Sequence, residues 1–161
     1  MDLQASYEFY IVFFVFLIII SYIISYILSF RNIYLKEIKK EILFGEAYKI
    51  SQILVNDVGE PENWHLNIDN AKRIGLLSSS NYFNHLSLSK INVFNLNCRN
   101  NYNLIKNLIG TELDFSIRLV SNDGNVLIDC IRPFGEEVIE IDRIVSFDDG
   151  KGYGVMKIWV Y

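Results

Sequence analysis

Apolar positions dominate the opening of the chain, "MDLQASYEFYIVFFVFLIIISYIISYILSFRN". Residues 9–30 carry no charge, and Glu8 stands at the edge of the run. About 20 apolar residues cross a bilayer's hydrocarbon as a helix, at about 1.5 Å per residue. The run reaches that length, so the pattern predicts a membrane-spanning helix. Its polar members are Ser21, Ser25 and Ser29 with Tyr10, Tyr22 and Tyr26. The serines recur at i, i+4 and share one face. Such a face either meets a neighbouring helix or bonds back within its own, and both readings stand. A cleavable secretory signal would want a basic leader, an apolar stretch of roughly 7–15 residues and a small-residue cleavage site. "MDL" holds no Lys or Arg, and "YILSFRNIYLKEIKK" offers no A-x-A pattern. The segment is therefore expected to stay with the protein.

Beyond Phe30 the period persists but becomes one-sided. Leu35, Ile38 and Ile42, then Leu43, Ala47, Ile50 and Leu54, recur at helical spacing, with Lys36, Glu37, Lys39, Lys40, Glu41 and Glu46 opposite. This predicts an amphipathic continuation of the first helix, with Gly45 as a point of weakness. Gly59 and Pro61 mark its end. "GEPENWHLNIDNAKRIGLLSSSNYF" is turn-rich, with Trp64, Ile68, Ile74, Leu76 and Leu77 as its anchors to a core. "HLSLSKINVFNLNCRNNYNLIKNLIGTEL" reads as two short helices, the first capped by Ser87 or Ser89 and the second ended by Gly110.

The last third alternates with period two. "LDFSIRLVS" and "NVLIDCIR" flank "NDG", a two-residue hairpin signal. "EEVIEIDRIVSF" and "YGVMKIWVY" flank "DDGKG". Four strands in two consecutive hairpins predict an antiparallel meander, with a helix over one face. Trp64 and Trp159 are both expected in the core. The fold class is α+β. A long N-terminal helix, transmembrane in its first half and amphipathic in its second, precedes a C-terminal antiparallel β-sheet head.

Composition changes this picture in a few places. The chain has 161 residues and a net charge of −4. Up to Val55 acids and bases balance at five each, leaving fourteen acids against ten bases downstream. A basic footprint is absent, so no nucleic-acid partner is expected. His65 and His85 have no Cys or carboxylate at ligand spacing, so no metal is expected. "SNDGNV" and "SFDDGKG" lack the full alternating calcium loop and read as turns. No nucleophile–base pair, phosphate loop or paired carboxylates stand out, so neither enzyme activity nor a cofactor is expected. Cys98 and Cys130 are either small buried hydrophobes or, if the head faces an oxidising exterior, a bridge.

A short leader, then Gln-x-Ser-x-Glu-Phe at Gln4, Ser6, Glu8 and Phe9, then an apolar helix, an amphipathic half and a β-rich head form a recognisable order. It resembles the archaeal type IV pilin-like proteins with a class III signal peptide. "GEPENW", "RIGLLS", "LSLSK" and "MKIWVY" look like the head of such proteins in methanogens. The resemblance implies a leader at 1–3, a transmembrane and filament-core helix at 4–30, its amphipathic continuation at 31–57 and an extracytoplasmic head at 58–161. It implies cutting by a prepilin peptidase between Leu3 and Gln4. It also implies assembly through Gln4, Ser6, Glu8 and Phe9, with other pilin-like subunits and the membrane as partners. Glu8 would then meet a neighbour's N-terminal amine. The sequence departs from the family at Asp2 and Leu3, where a basic residue and then Gly or Ala usually stand. Arg31, Lys36, Lys39 and Lys40 follow the span with nothing basic before it, which by the positive-inside rule favours a cytoplasmic head. The other reading is a permanently anchored single-pass protein whose head binds a partner or ligand.

Overall fold

The computed structural model describes residues 2–161, apart from Phe134, Glu136, Asp149 and Lys151; the side chains of residues 2–6 and 32 also lie outside the description. The fold is α+β. It opens with one helix, α1 (Asp2–Asn56), and closes on a five-stranded, mostly antiparallel sheet. The chain divides into two compact units, Met1–Lys39 and Lys40–Tyr161.

In the first unit the helix has no covered face. From Tyr7 to Arg31 every side chain except Ile20 is exposed. Leu35 is exposed and Ile38 half-buried. Gly45 leaves the helix unbroken, because all its neighbours keep the helical hydrogen-bond ladder.

The second unit begins with the covered part of α1. Leu43, Ala47, Ile50, Leu54 and Val55 are buried at helical spacing, and Ser51 joins them. The covered stripe starts at Leu43, later than the pattern predicts, since Ile42 is exposed. Past Asn56 the chain turns at Gly59, whose φ is +84°. A side chain there would collide with the indole of Trp64. Trp64 is fully buried, and its Nε1 donates to the Gly75 carbonyl at 2.9 Å.

Helices α2 (Leu88–Asn100) and α3 (Tyr102–Ile109) follow as predicted. Ser87 is the residue before α2, but its hydroxyl caps nothing. The carboxylate of Asp148 accepts from the Leu88 N–H instead, at 3.1 Å. Gly110 ends α3 in the left-handed region, φ +75°, with its N–H bonded to the Lys106 and Asn107 carbonyls.

The strands are β1 (His85–Leu86), β2 (Phe115–Ser121), β3 (Val126–Cys130), β4 (Ile139–Phe147) and β5 (Tyr153–Val160). Their order is β1-β4-β5-β2-β3. Both hairpins form, but a simple meander does not. β5 pairs antiparallel with both β4 and β2, which puts β3 on an edge. Short β1 adds a parallel partner to the end of β4 through His85↔Ser146 and Leu86↔Phe147. The β2–β3 connection is longer than the two residues expected, since Asn122–Asn125 all lie outside the strands.

One face of the sheet joins the core through Phe115, Ile117, Leu119, Met156, Ile158, Val160, Val145 and Phe147. The opposite face carries Asp129, Arg118, Lys157 and Asp142 in one cross-strand row. Trp159 corrects an expectation. It is only half-buried and lies on the face of Lys157, with its Nε1 donating to Glu140 at 2.9 Å. Alternation along β5 assigns the core to Ile158 and Val160 instead.

Candidate functional site

The residues that the sequence singles out lie at the start of α1. Leu3, Gln4 and Ser6 are helical, but their side chains fall outside the described residues. Glu8 and Phe9 are exposed. Phe9 stacks on Phe13 with ring centroids 6.3 Å apart, one turn along. Tyr22 and Tyr26 stack in the same way, and Tyr26 leans on Phe30. These i, i+4 contacts lie within one helix and leave its outer surface free to meet other apolar groups. Ser29 donates its hydroxyl to the Ser25 carbonyl at 2.9 Å, the back-bond that makes a serine tolerable in an apolar setting.

An 18-residue window in the helix Tyr7–Asn56 has a mean hydropathy of 2.9, and none of it is buried. A helix satisfies its own backbone, so what remains uncovered is side-chain surface alone. The length and composition are those of a single membrane span. Apolar surface this large and continuous is the kind that marks membrane or protein interaction sites.

In the second unit the sulfurs of Cys98 and Cys130 are bonded to each other, with Cα atoms 5.8 Å apart. The bond ties α2 to β3. Beside it Arg99 reaches the Asp129 carboxylate at 3.0 Å. Of the two fates open to these cysteines, the structure holds the bridge.

A polar feature of the head escaped the sequence reading. Lys90, in the first turn of α2, is buried, and its Nζ donates to the Val58 and Leu77 carbonyls, each at 2.8 Å. It thereby fastens the turn-rich segment to the helix at Val58 and Leu77. A signal for it existed: Lys90 stands four residues before Phe94, on the face that also buries Ile91 and Cys98. Burial holds its pKa below the ordinary lysine value, with Glu62, Asp57 and Asp148 pulling the other way. Among the described residues no group of three His, Cys, Asp or Glu side chains gathers as metal ligands would.

A long N-terminal apolar helix with a β-sheet head is the arrangement of pilin-like folds. No family model, no curated protein and no solved structure matches this chain.

Proposed function

We propose that the chain is a pilin-like structural subunit, of the minor kind, held in the membrane by the first half of α1 and presenting its head outside the cell. One observation carries the reading. The same helix is bare on all sides over its apolar half and fitted into a core from Leu43 onward. Lipid covers the bare part in the membrane, and the same part of other subunits covers it in a filament. Glu8 supports the filament, since a carboxylate at the edge of an apolar run is tolerable once an opposite charge meets it.

The Cys98–Cys130 bond supports the exterior placement, because disulfides persist in oxidising compartments. The bases Arg31, Lys36, Lys39 and Lys40 pull toward the opposite topology. In this reading a prepilin peptidase cuts between Leu3 and Gln4, against the departure at Asp2 and Leu3. The subunit performs no reaction and carries no cofactor. The second reading, a permanent anchor whose head binds a ligand, is favoured by the polar cleft beside Lys90.

Shearing of the native host's cells separates the two. A filament subunit enters the sheared fraction with an N-terminus at Gln4, and protease on intact cells removes its head. Glu8→Gln should reach the membrane at the wild-type level but fall in the sheared fraction, since losing one member of a buried pair costs about 3–5 kcal/mol. Wild-type protein retained in the membrane with Met1 in place overturns the subunit reading. A head protected until lysis overturns the topology.

A further inference from the structure

A buried ammonium with no carboxylate against it is uncommon, because removing the charge from water demands a partner. Lys90 is such a group. It is 3% exposed, and the two carbonyls that accept from it solvate the charge without neutralising it. Two of the three acids near Lys90 are engaged elsewhere, and the third, Glu62, is exposed at the cleft and makes no ion pair with Lys90 among the described residues. Asp57 pairs with Arg73 at 2.8 Å, and Asp148 takes the Leu88 N–H. An ammonium has three donors, and the third N–H of Lys90 has no acceptor among the described residues.

Lys90 lines a cleft of about 490 Å³ together with Glu62, Asn63, His65, Ser78 and Ser87. This wall is polar and unfinished. The Ser87 hydroxyl caps nothing, and Nδ1 of His65 is buried with no partner. His65 is neutral at pH 7, because burial and then the Lys90 charge hold its pKa below the ordinary value. Among the described residues Lys90 is therefore the one cation lining the cleft, and the positive end of the α2 dipole lies with it.

We propose that this cleft binds a small monocarboxylate, whose oxygens accept from the third N–H of Lys90 and from the Ser87 hydroxyl. One negative charge offsets one buried positive charge. Glu62, exposed among the lining residues, repels any anion in proportion to its charge, so a doubly charged phosphate or dicarboxylate is disfavoured more than a monocarboxylate. The site belongs to the head alone and does not depend on whether α1 enters a filament.

The test is an acetate titration of the full chain in detergent micelles, followed by amide NMR shifts, with chloride and phosphate at equal ionic strength. Acetate should give saturable shifts at Ser87 and Lys90, and chloride and phosphate should not. Ser87→Ala leaves the bonds from Lys90 to Val58 and Leu77 in place, and should weaken acetate binding about 5–10-fold, the worth of one hydrogen bond. Lys90→Gln should abolish saturation, with near-UV circular dichroism checking that the head is still folded. No saturation in the wild type, phosphate binding as tight as acetate, or unchanged binding in Ser87→Ala would each overturn the proposal.

Discussion

Two stretches of α1 are both rich in large apolar residues and meet opposite fates. Over residues 9–30 the apolar side chains point in every direction, and only Ile20 escapes exposure. Over residues 43–55 Leu43, Ala47, Ile50, Leu54 and Val55 fall on one stripe and are buried in the head, while Phe44 and Tyr48 stay exposed. The first stretch carries no charge and the second includes Glu46 and Lys49, so both composition and arrangement separate them. A stripe is a surface that the chain can finish with its own strands and helices, whereas an apolar surface all round needs lipid or other chains.

The largest expected effect tests that division directly. Ile50→Asp places a carboxylate at a fully buried position and should abolish the folded head, read as loss of near-UV circular dichroism and of amide dispersion in micelles. Ile19→Asp should leave the melting of the head unchanged and reduce membrane integration instead, by about 2.5–3.5 kcal/mol on an insertion scale. A head that melts early in Ile19→Asp breaks the comparison.

The two tryptophans repeat the contrast within the head. Trp64→Ala should cost about 3–5 kcal/mol in urea unfolding, as large-to-small changes in a core do. Trp159→Ala removes a half-buried ring from the solvent side of β5 and should cost about 1 kcal/mol. Equal losses would place both rings in one core and contradict the register of β5.

Reduction of Cys98–Cys130 should lower stability by about 3–4 kcal/mol, given a closed loop with a sequence separation of 32. The loss should fall on the head alone, with the far-ultraviolet signal of the apolar helix persisting through the transition. Simultaneous melting of both would show that the two stretches share one cooperative unit.

The smallest effect is on the outer face of the sheet. A hydrogen bond from Lys157, then one from Trp159, holds the Glu140 pKa below the ordinary carboxylate value. A carboxyl depressed in the folded state stabilises above its unfolded pKa, and that contribution is lost as pH falls through the folded value. Glu140→Gln should therefore flatten the acid side of the stability profile below about pH 4.5. The pair is solvated, so the change should be a minor displacement of the acid midpoint. An unchanged acid limb would remove Glu140 from the account.

Much of the fold was legible because local chemistry decided it. Gly59 and Pro61 ended α1, Gly110 ended α3, and turn residues placed both hairpins. The strand order was not legible, since alternation says which residues share a face but not which strands pair across the sheet. The face of Trp159 was readable in principle. It shares parity with Lys157, while Met156, Ile158 and Val160 share the other, but the size of the ring outweighed that pattern. Lys90 was missed because a lysine on a helix reads as solvent-facing, and only tertiary contacts with Val58 and Leu77 make its burial tolerable. Of the expected assembly residues, Glu8 and Phe9 are placed on an exposed helix start.

The position of β5 bears on how the protein is made. It lies between β4 and β2, yet it follows every other strand in the chain. Until it has been synthesised, the β2–β3 and β4 segments have no partner to join them, and the apolar side chains of all three stay unsheltered. The apolar helix, by contrast, closes its hydrogen bonds locally and needs none of the strands to form. The order of synthesis thus separates the helix from the closing of the head in time. The helix can form early, and the head closes only when its central strand arrives, a long-range pairing of the kind that folds slowly.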